Sequence, residues 1–134
     1  LERAYWAQGS YLADALAAID YVLRDHRSGE VAAIDTALLD LLHRLETRLQ
    51  PAGPFEVISA YRSPASNQLL NATTSGVATR SLHMQGKAID VRLPGVALAD
   101  LRQAALELKA GGVGYYPESN FVHLDVGRVR HWGG

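Results

Sequence analysis

The residues best suited to chemistry lie between positions 81 and 93, where His83 and Asp90 are separated by seven positions. The end of this segment alternates apolar and polar residues, which is typical of a half-buried strand. Successive side chains of a strand point to opposite faces, so Ile89 and Val91 would face the core and Asp90 would face away from it. The pattern therefore predicts a carboxylate that is held on a strand but kept outside the core.

A later segment, residues 121–126, repeats this arrangement. Its hydrophobic residues form one face, and His123 and Asp125 point to the other. If both strands lie in one sheet above the same core, His83, Asp90 and His123 collect on the opposite face. Two imidazoles and a carboxylate suit a catalytic zinc ion, which takes nitrogen and oxygen ligands at ~2.0–2.2 Å and keeps one position for water. The sequence predicts a zinc site made of these three side chains.

A purely structural interpretation of the same residues stays open at this point. His83 could cap a turn, and Asp90 could pair with Arg92 or Lys87. His123 could be a histidine whose hydrogen bonds are satisfied on a half-buried strand. Isolated histidines and aspartates are usually structural or solvated, so it is the repeated pattern, and no single residue, that favours a metal.

Composition limits the remaining possibilities. The chain has 134 residues, of which 48% are hydrophobic and 20% charged, as expected for a single globular domain over residues 1–134. A formal net charge of −1 argues against a nucleic-acid partner. The absence of cysteine excludes disulfides and thiolate zinc sites. No apolar run approaches the ~20 residues of a membrane span. The oligomeric state cannot be inferred.

The periodicity of the chain predicts both helices and strands. Since a turn of only a few residues joins the last two strands, they must be antiparallel. We expect an α+β domain with a small, mainly antiparallel sheet, helices packed on one face, the zinc site on the other, and an N-terminal helical part at about residues 10–50 packed on the sheet. The predicted helices are 12–24, 36–49, 64–70 and 98–108, and the strands are 55–59, 88–93, 113–116 and 121–126, the last being the final strand.

Several motifs together resemble the zinc D-alanyl-D-alanine peptidase and hedgehog-like superfamily. More narrowly, they are similar to its murein endopeptidase branch, long catalogued as a domain of unknown function. The resemblance runs from about residue 17 to residue 132 and implies a hedgehog- or DD-peptidase-like fold. The motifs are Ser81-x-His83 followed by Asp90, Ser59-Ala60-Tyr61-Arg62-Ser63-Pro64, Gly111-Gly112-Val113-Gly114-Tyr115-Tyr116-Pro117, Phe121-Val122-His123 and Val129-Arg130-x-Trp132.

The resemblance implies a function as well as a fold. It implies a zinc-dependent murein endopeptidase in which metal-activated water hydrolyses D-amino-acid-containing peptide cross-links of peptidoglycan, so that peptide stems are its partner. A D-alanyl-D-alanine carboxypeptidase and a non-catalytic, zinc-containing murein-binding module remain alternatives. Members of this branch usually carry an export signal, which implies a periplasmic or exported protein with that signal upstream of this chain.

Other side chains are expected to bind the substrate. Arg62 follows a predicted strand, and its planar guanidinium could hold an oxyanion or a substrate carboxylate. Alternatively, Arg62 pairs with a nearby acid such as Glu56. The residues expected to line the substrate groove are Asn67, Gln68, Tyr116 and Asn120.

The general base is where the sequence departs from the wider superfamily. Many relatives have Glu or Asp three residues before the last histidine ligand, and here that position is Asn120, which cannot serve as a base. Asp125 shares a face with His123 and is predicted to be either the base or an acceptor that fixes the tautomer of a histidine ligand. Glu118 and His131 are further candidates for the base.

Overall fold

A computed structural model of the chain describes residues 6–7, 10–11, 13–25, 28–63, 66 and 82–133. The described helices are α1 (Ala13–Val22), α2 (Thr36–Leu49) and α3 (Leu98–Leu108), and a 3₁₀ turn spans Leu82–Gln85. The described strands are β1 (Trp6–Ala7), β2 (Ser10–Tyr11), β3 (Glu56–Ser59), β4 (Ala88–Arg92), β5 (Gly112–Tyr116), β6 (Phe121–Asp125) and β7 (Arg130–Trp132).

The three described helices lie where hydrophobic periodicity places them, so the α+β class is confirmed. Helix α2 begins after Asp35, whose carboxylate accepts a hydrogen bond of 2.9 Å from the N–H of Ala37, as an N-cap residue does. Most of the predicted helix at 64–70 and the groove residues Asn67 and Gln68 lie outside the described residues. Among the described residues, no helix combines the length and the apolar character that crossing a membrane requires.

Five strands form one mixed sheet in the order β3-β4-β6-β5-β7. The pairs β3–β4, β4–β6 and β5–β6 are antiparallel, whereas β5 and β7 are parallel. The prediction that residues 121–126 form the final strand is wrong, because β7 follows at the edge of the sheet. The strand β7 has only three residues, an arginine, a histidine and a tryptophan, which is too short a segment to show the alternation of apolar and polar residues by which strands are recognised. A separate two-stranded sheet joins β1 and β2.

One face of this sheet packs against the helices. Ile89 and Val91 of β4 and Leu124 of β6 are at most 1% exposed and belong to one hydrophobic core with residues of α2 and α3 such as Leu45 and Leu101. The alternation predicted for β4 and β6 is therefore confirmed, and the polar residues of these strands lie on the other face.

A single line of paired residues crosses the polar face through all five strands. Directly paired residues of neighbouring strands share a face of the sheet, so their side chains project together. We call this line the central rung; in sheet order it consists of Ser59, Asp90, His123, Gly114 and Trp132.

The turn between His83 and β4 requires glycine. Gly86 has a φ of +67°, and a Cβ atom there would overlap the carbonyl oxygen of Ala33. The carbonyl of Gly86 accepts a hydrogen bond of 2.8 Å from the N–H of Asp35, at the start of α2. This close packing fixes the turn that carries His83 against the segment that precedes α2.

We expect Gly86→Ala to destabilise the protein more than Gly29→Ala. Gly29 has a similar φ of +77°, but a Cβ atom there would meet nothing within 4 Å, so alanine adds only the left-handed strain of about 1–2 kcal/mol. At Gly86 the overlap with Ala33 adds about 1–3 kcal/mol more. Urea unfolding of both variants measures the difference. Equal free energies of unfolding would contradict the proposed packing.

Candidate metal centre

The side chains of His83, Asp90 and His123 converge, and we call them the His-Asp-His cluster. Each offers one potential ligand atom, and these atoms lie within 4.8 Å of one another. Asp90 Oδ1 lies 3.3 Å from His83 Nε2 and 3.0 Å from His123 Nδ1. The central rung brings Asp90 beside His123, and the 3₁₀ turn brings the ring of His83 to 5.2 Å from that of His123, measured between centroids.

His83 is oriented by the backbone of the chain. It is 4% exposed, and its Nδ1 lies 2.7 Å from the carbonyl oxygen of Ala60. A carbonyl can only accept, so Nδ1 carries the proton and donates it, which leaves Nε2 with its lone pair on the side of Asp90. The carbonyl of His83 in turn accepts a hydrogen bond of 3.0 Å from the N–H of Arg62. The residues after β3 thus hold both the ring and the backbone of His83.

His123 is oriented by the neighbouring carboxylates. Its Nε2 lies 2.7 Å from Asp125 Oδ2, and its Nδ1 faces Asp90. An ionised carboxylate cannot donate, so the Nε2–H of His123 donates to Asp125. When a metal takes the place of a proton, Nδ1 is therefore the ring nitrogen of His123 that remains to bind it.

The charges of the cluster favour a cation. Burial by itself raises the pKa of Asp90, but the hydrogen bond from His123 and the proximity of His83 outweigh it and lower the pKa to about 2. Burial also works to lower the pKa of His123, but its hydrogen bonds to Asp125 and Asp90 outweigh this and raise the pKa. The site therefore holds an ionised carboxylate that attracts positive charge, either as a proton on His123 or as a metal ion.

The donor set also fits a divalent metal. Two imidazole nitrogens with available lone pairs meet one carboxylate oxygen, and each imidazole has its second nitrogen bonded to another acceptor. Imidazole ligands whose second nitrogen donates to a carbonyl or a carboxylate, together with a carboxylate ligand, are usual at catalytic zinc sites. The structural alternative for Asp90 is not observed: among the described residues its ion pairs are with His83 and His123 and not with Arg92 or Lys87, and Arg92 bonds to Glu56 at 3.1 Å.

Asp125 is hydrogen-bonded to His123 and is completely buried, with 0% exposure. Its Oδ1 accepts hydrogen bonds from the N–H groups of Gly112 at 2.8 Å and Gly127 at 3.0 Å. Arg130 binds both of its oxygens, at 3.0 and 2.9 Å. Burial tends to raise the pKa of Asp125, but its bonds from His123 and Arg130 and from the two N–H groups hold that pKa well below its usual range.

A glycine leaves room for this ion pair. A Cβ atom on Gly112 would lie 2.5 Å from Asp125 Oδ2 and would overlap the guanidinium of Arg130. The glycine at the start of β5 therefore allows side chains to approach closely at the edge of the site. The side chains that come close are Asp125 of β6 and Arg130 of β7, and the sequence did not predict β7.

The structure places Arg62 next to the central rung. Arg62 is 9% exposed, and its Nη2 lies 3.5 Å from the hydroxyl of Ser59, which pairs with Asp90 in the rung. The expected alternative partner, Glu56, is bonded to Arg92. The guanidinium of Arg62 is thus close to the cluster on the side of β3.

The other candidate residues lie farther along the sheet or away from the cluster. Tyr116 is on the polar face, where its ring stacks on Phe121 with centroids 4.7 Å apart. Asn120 is exposed in the turn after β5 with a φ of +57°, and its carbonyl accepts a hydrogen bond of 3.0 Å from Arg92. Glu118 is exposed in the same turn.

His131 lies on the face of β7 away from the cluster. It pairs with Val113, a core residue of β5, and is itself exposed. Alternation along β7 places Arg130 and Trp132 on the polar face instead.

Sequence reasoning assigned no role to three groups around the site. These are the carbonyl of Ala60, the guanidinium of Arg130 and the indole of Trp132, whose ring centroid lies 5.1 Å from that of His123. The only sequence signal for the last two was the motif Val129-Arg130-x-Trp132, which contributed to the resemblance but did not indicate what either side chain contacts.

Comparison with known proteins agrees with this geometry. A family model described as Peptidoglycan L,D-endopeptidase MepK matches residues 1–132. The peptidoglycan L,D-endopeptidases MepK of Escherichia coli strain K12 and of Shigella flexneri are each 46% identical to the chain over 122 residues, which cover 91% of this chain and 67% of theirs. The probable peptidoglycan L,D-endopeptidase MepK of Haemophilus influenzae is 43% identical over 117 residues, which cover 87% of this chain and 63% of its own. The resemblance indicated by the motifs is thereby confirmed, and the chain belongs to the peptidase family described as peptidoglycan L,D-endopeptidase MepK.

Proposed function

We propose that this protein is a zinc-dependent peptidoglycan endopeptidase that hydrolyses L,D-linked peptide cross-links. The observation that carries the proposal is the convergence of His83, Asp90 and His123 in a chain that belongs to a peptidase family. The relatives are named for this L,D-endopeptidase activity. We further propose a periplasmic or exported location, where peptidoglycan lies, and one catalytic domain with a hedgehog-like arrangement in which the zinc site lies on the polar face of the sheet.

Zinc is the metal that the donor set favours. Bound zinc lowers the pKa of a water molecule to ~7 and polarises a carbonyl, which allows amide hydrolysis without a protein nucleophile. The chain's own contribution is to keep Asp90 ionised and to direct Nε2 of His83 and Nδ1 of His123 toward it. Ala60 and Asp125 hold the protons of the two histidines on the side away from the metal.

Asp125 acts, in this proposal, as the acceptor that orients His123 and not as the general base. Its carboxylate is fully buried and accepts hydrogen bonds from His123, Arg130 and two backbone N–H groups. A pKa held well below its usual range makes it a weak base, whereas an efficient base has a pKa near the working pH. Both its position and its basicity therefore favour the orienting role.

Arg62 is proposed to meet the negative charge of the substrate. Its position beside Ser59 places a permanent cation near Asp90, on the β3 side of the cluster. A planar guanidinium can bind a carboxylate or an oxyanion through two parallel hydrogen bonds. We propose that Arg62 stabilises the oxyanion that forms on the attacked carbonyl, or holds a substrate carboxylate next to it.

The substrate groove is proposed to run over the polar face of the sheet past Tyr116. The turn that contains Asn120 is tied to this face by Arg92, and the backbone amides of a peptide stem can bond to the Asn120 side chain. Asn67 and Gln68, which lie outside the described residues, are proposed to contribute amide hydrogen bonds to the substrate.

Digestion of purified peptidoglycan tests the proposed function. We expect the zinc-loaded protein to convert L,D-linked dimers to monomers, to leave D,D-linked dimers intact, and to lose this activity reversibly when zinc is chelated. Separation of the products by chromatography and mass spectrometry measures the outcome. His83→Ala should lose zinc and activity, whereas His43→Ala, which removes an exposed histidine of α2, should keep both.

Each alternative function predicts different products. Release of single alanines without loss of dimers would identify a carboxypeptidase. An unchanged profile, with zinc bound and peptidoglycan sedimenting together with the protein, would identify a non-catalytic binding module and contradict the proposal.

The two possible roles of Asp125 differ in their effect on metal binding. We expect Asp125→Asn to weaken zinc affinity by ~10–100-fold, because the amide can no longer accept from both His123 and Arg130. Competition with a chromogenic chelator measures this affinity. Asp100→Asn, at an exposed position of α3, is the matched control and should bind zinc like the wild type.

Asp125→Asn should lose turnover together with zinc affinity, and excess zinc should restore part of the rate. If zinc affinity were unchanged while turnover fell and the acidic limb of the pH profile disappeared, Asp125 would be the general base after all. If Asp125→Asn matched the wild type in both zinc affinity and turnover, Asp125 would be neither the orienting acceptor nor the general base.

A further inference from the structure

Trp132 occupies the end of the central rung, next to the His-Asp-His cluster. It pairs with Gly114, which in turn pairs with His123. The indole reaches across Gly114, so that its centroid lies 5.1 Å from the imidazole centroid of His123 with an angle of 47° between the planes. A large aromatic ring thus lies against a proposed metal ligand, on the side of the site opposite Arg62.

The close approach of the indole depends on the glycine beneath it. A Cβ atom on Gly114 would lie 2.5 Å from Cε2, 2.6 Å from Cζ2 and 2.7 Å from Nε1 of Trp132. Any other residue at position 114 would have to displace the ring from the sheet. The glycine on β5 and the tryptophan on β7 therefore form one structural unit.

Neighbouring side chains hold the indole in one orientation. Its Nε1–H donates a hydrogen bond of 2.7 Å to the hydroxyl of Tyr116, whose ring stacks on Phe121. The guanidinium of Arg130 lies 5.1 Å from the indole centroid, within the range of a cation–π contact. Because the indole is already fixed, binding of a ligand against it would cost little conformational entropy of the Trp132 side chain.

The indole nevertheless remains partly exposed. Packing a tryptophan in the core would bury more of its apolar surface, yet Trp132 lies on the polar face and covers one edge of the site. Ligand sites commonly combine such an apolar wall with a few polar groups that fix orientation. Here the polar groups are the His-Asp-His cluster and Arg62 on the opposite side.

We propose that Trp132, seated on Gly114 and anchored by Tyr116, is the apolar wall of the substrate site and packs against the aliphatic side chains of the peptide beside the scissile amide. This inference rests on the proposed function, because it takes the cross-linked peptide as the ligand. Trp132 contributes to substrate binding through apolar contact, in contrast to the charged groups that act on the carbonyl.

Kinetics on L,D-linked dimers tests the wall. We expect Trp132→Ala to raise KM about tenfold or more, with kcat within about twofold and zinc content unchanged, since the contact stabilises bound substrate and transition state alike. Trp132→Phe keeps an aromatic surface and should raise KM less. Gly114→Ala should resemble Trp132→Ala because it displaces the indole. Tyr21→Ala removes an exposed aromatic ring of α1 and should leave KM unchanged.

Fluorescence provides a readout that does not depend on turnover. The chain contains two tryptophans, so Trp6→Phe leaves Trp132 as the only one. Rapid mixing of this zinc-loaded variant with L,D-linked dimers should change the emission of Trp132 before product forms, with a concentration dependence that parallels substrate binding.

Failure of the wall and failure of the proposed function give different results. An emission change without cleavage would contradict the endopeptidase function but support the wall. Normal KM in Trp132→Ala, or no emission change during active turnover, would overturn the wall and leave the function intact. Loss of zinc from Trp132→Ala and Trp132→Phe alike would also overturn it, because the indole would then serve only to pack His123.

Discussion

The buried carboxylate of Asp125 is the interaction on which the polar face of the sheet depends. It joins three strands: it belongs to β6, accepts from the N–H of Gly112 on β5, and pairs with Arg130 of β7. A buried charge is tolerated only when it is paired and hydrogen-bonded, and this one is fully enclosed by such partners. Removing any one of them would leave a buried charge partly unsatisfied, so the parallel edge strand and the metal site are stabilised by the same carboxylate.

The same carboxylate determines which nitrogen of His123 faces the cluster. Asp125 binds Nε2, which leaves Nδ1 toward Asp90, whereas Ala60 binds Nδ1 of His83 and leaves Nε2. The two histidines therefore present different ring nitrogens to one site, and each is held by a different kind of acceptor. A charged acceptor raises the basicity of its imidazole more than a carbonyl does, so His123 is expected to be the stronger ligand. The two histidine ligands are therefore not equivalent. The surroundings of the site are asymmetric as well, with Arg62 on the β3 side and Trp132 on the β7 side.

Sequence periodicity predicted the parts of this arrangement that depend on local geometry. Alternation in residues 88–93 and 121–126 placed Asp90 and His123 on one face, and helical spacing located α2 and α3. The edge strand β7 and the neighbours of Asp125 depend on pairing between distant segments, for which a short polar strand carries no periodic signal. The position of the Trp132 indole beside His123 follows from two features of the structure: β7 pairs in parallel with β5, and the residue of β5 paired with Trp132 is Gly114, on which the ring packs. Asn67 and Gln68 stay predictions.

The central claim is that the chain presents Nε2 of His83, a carboxylate oxygen of Asp90 and Nδ1 of His123 to one zinc ion. A crystal of the zinc-loaded protein, measured on both sides of the zinc absorption edge, tests it most directly. We predict one anomalous peak bonded to these three atoms at ~2.0–2.2 Å, with Nε2 of His123 still bonded to Asp125. A zinc ion bound through Nε2 of His123, or a peak away from Asp90, would contradict the account.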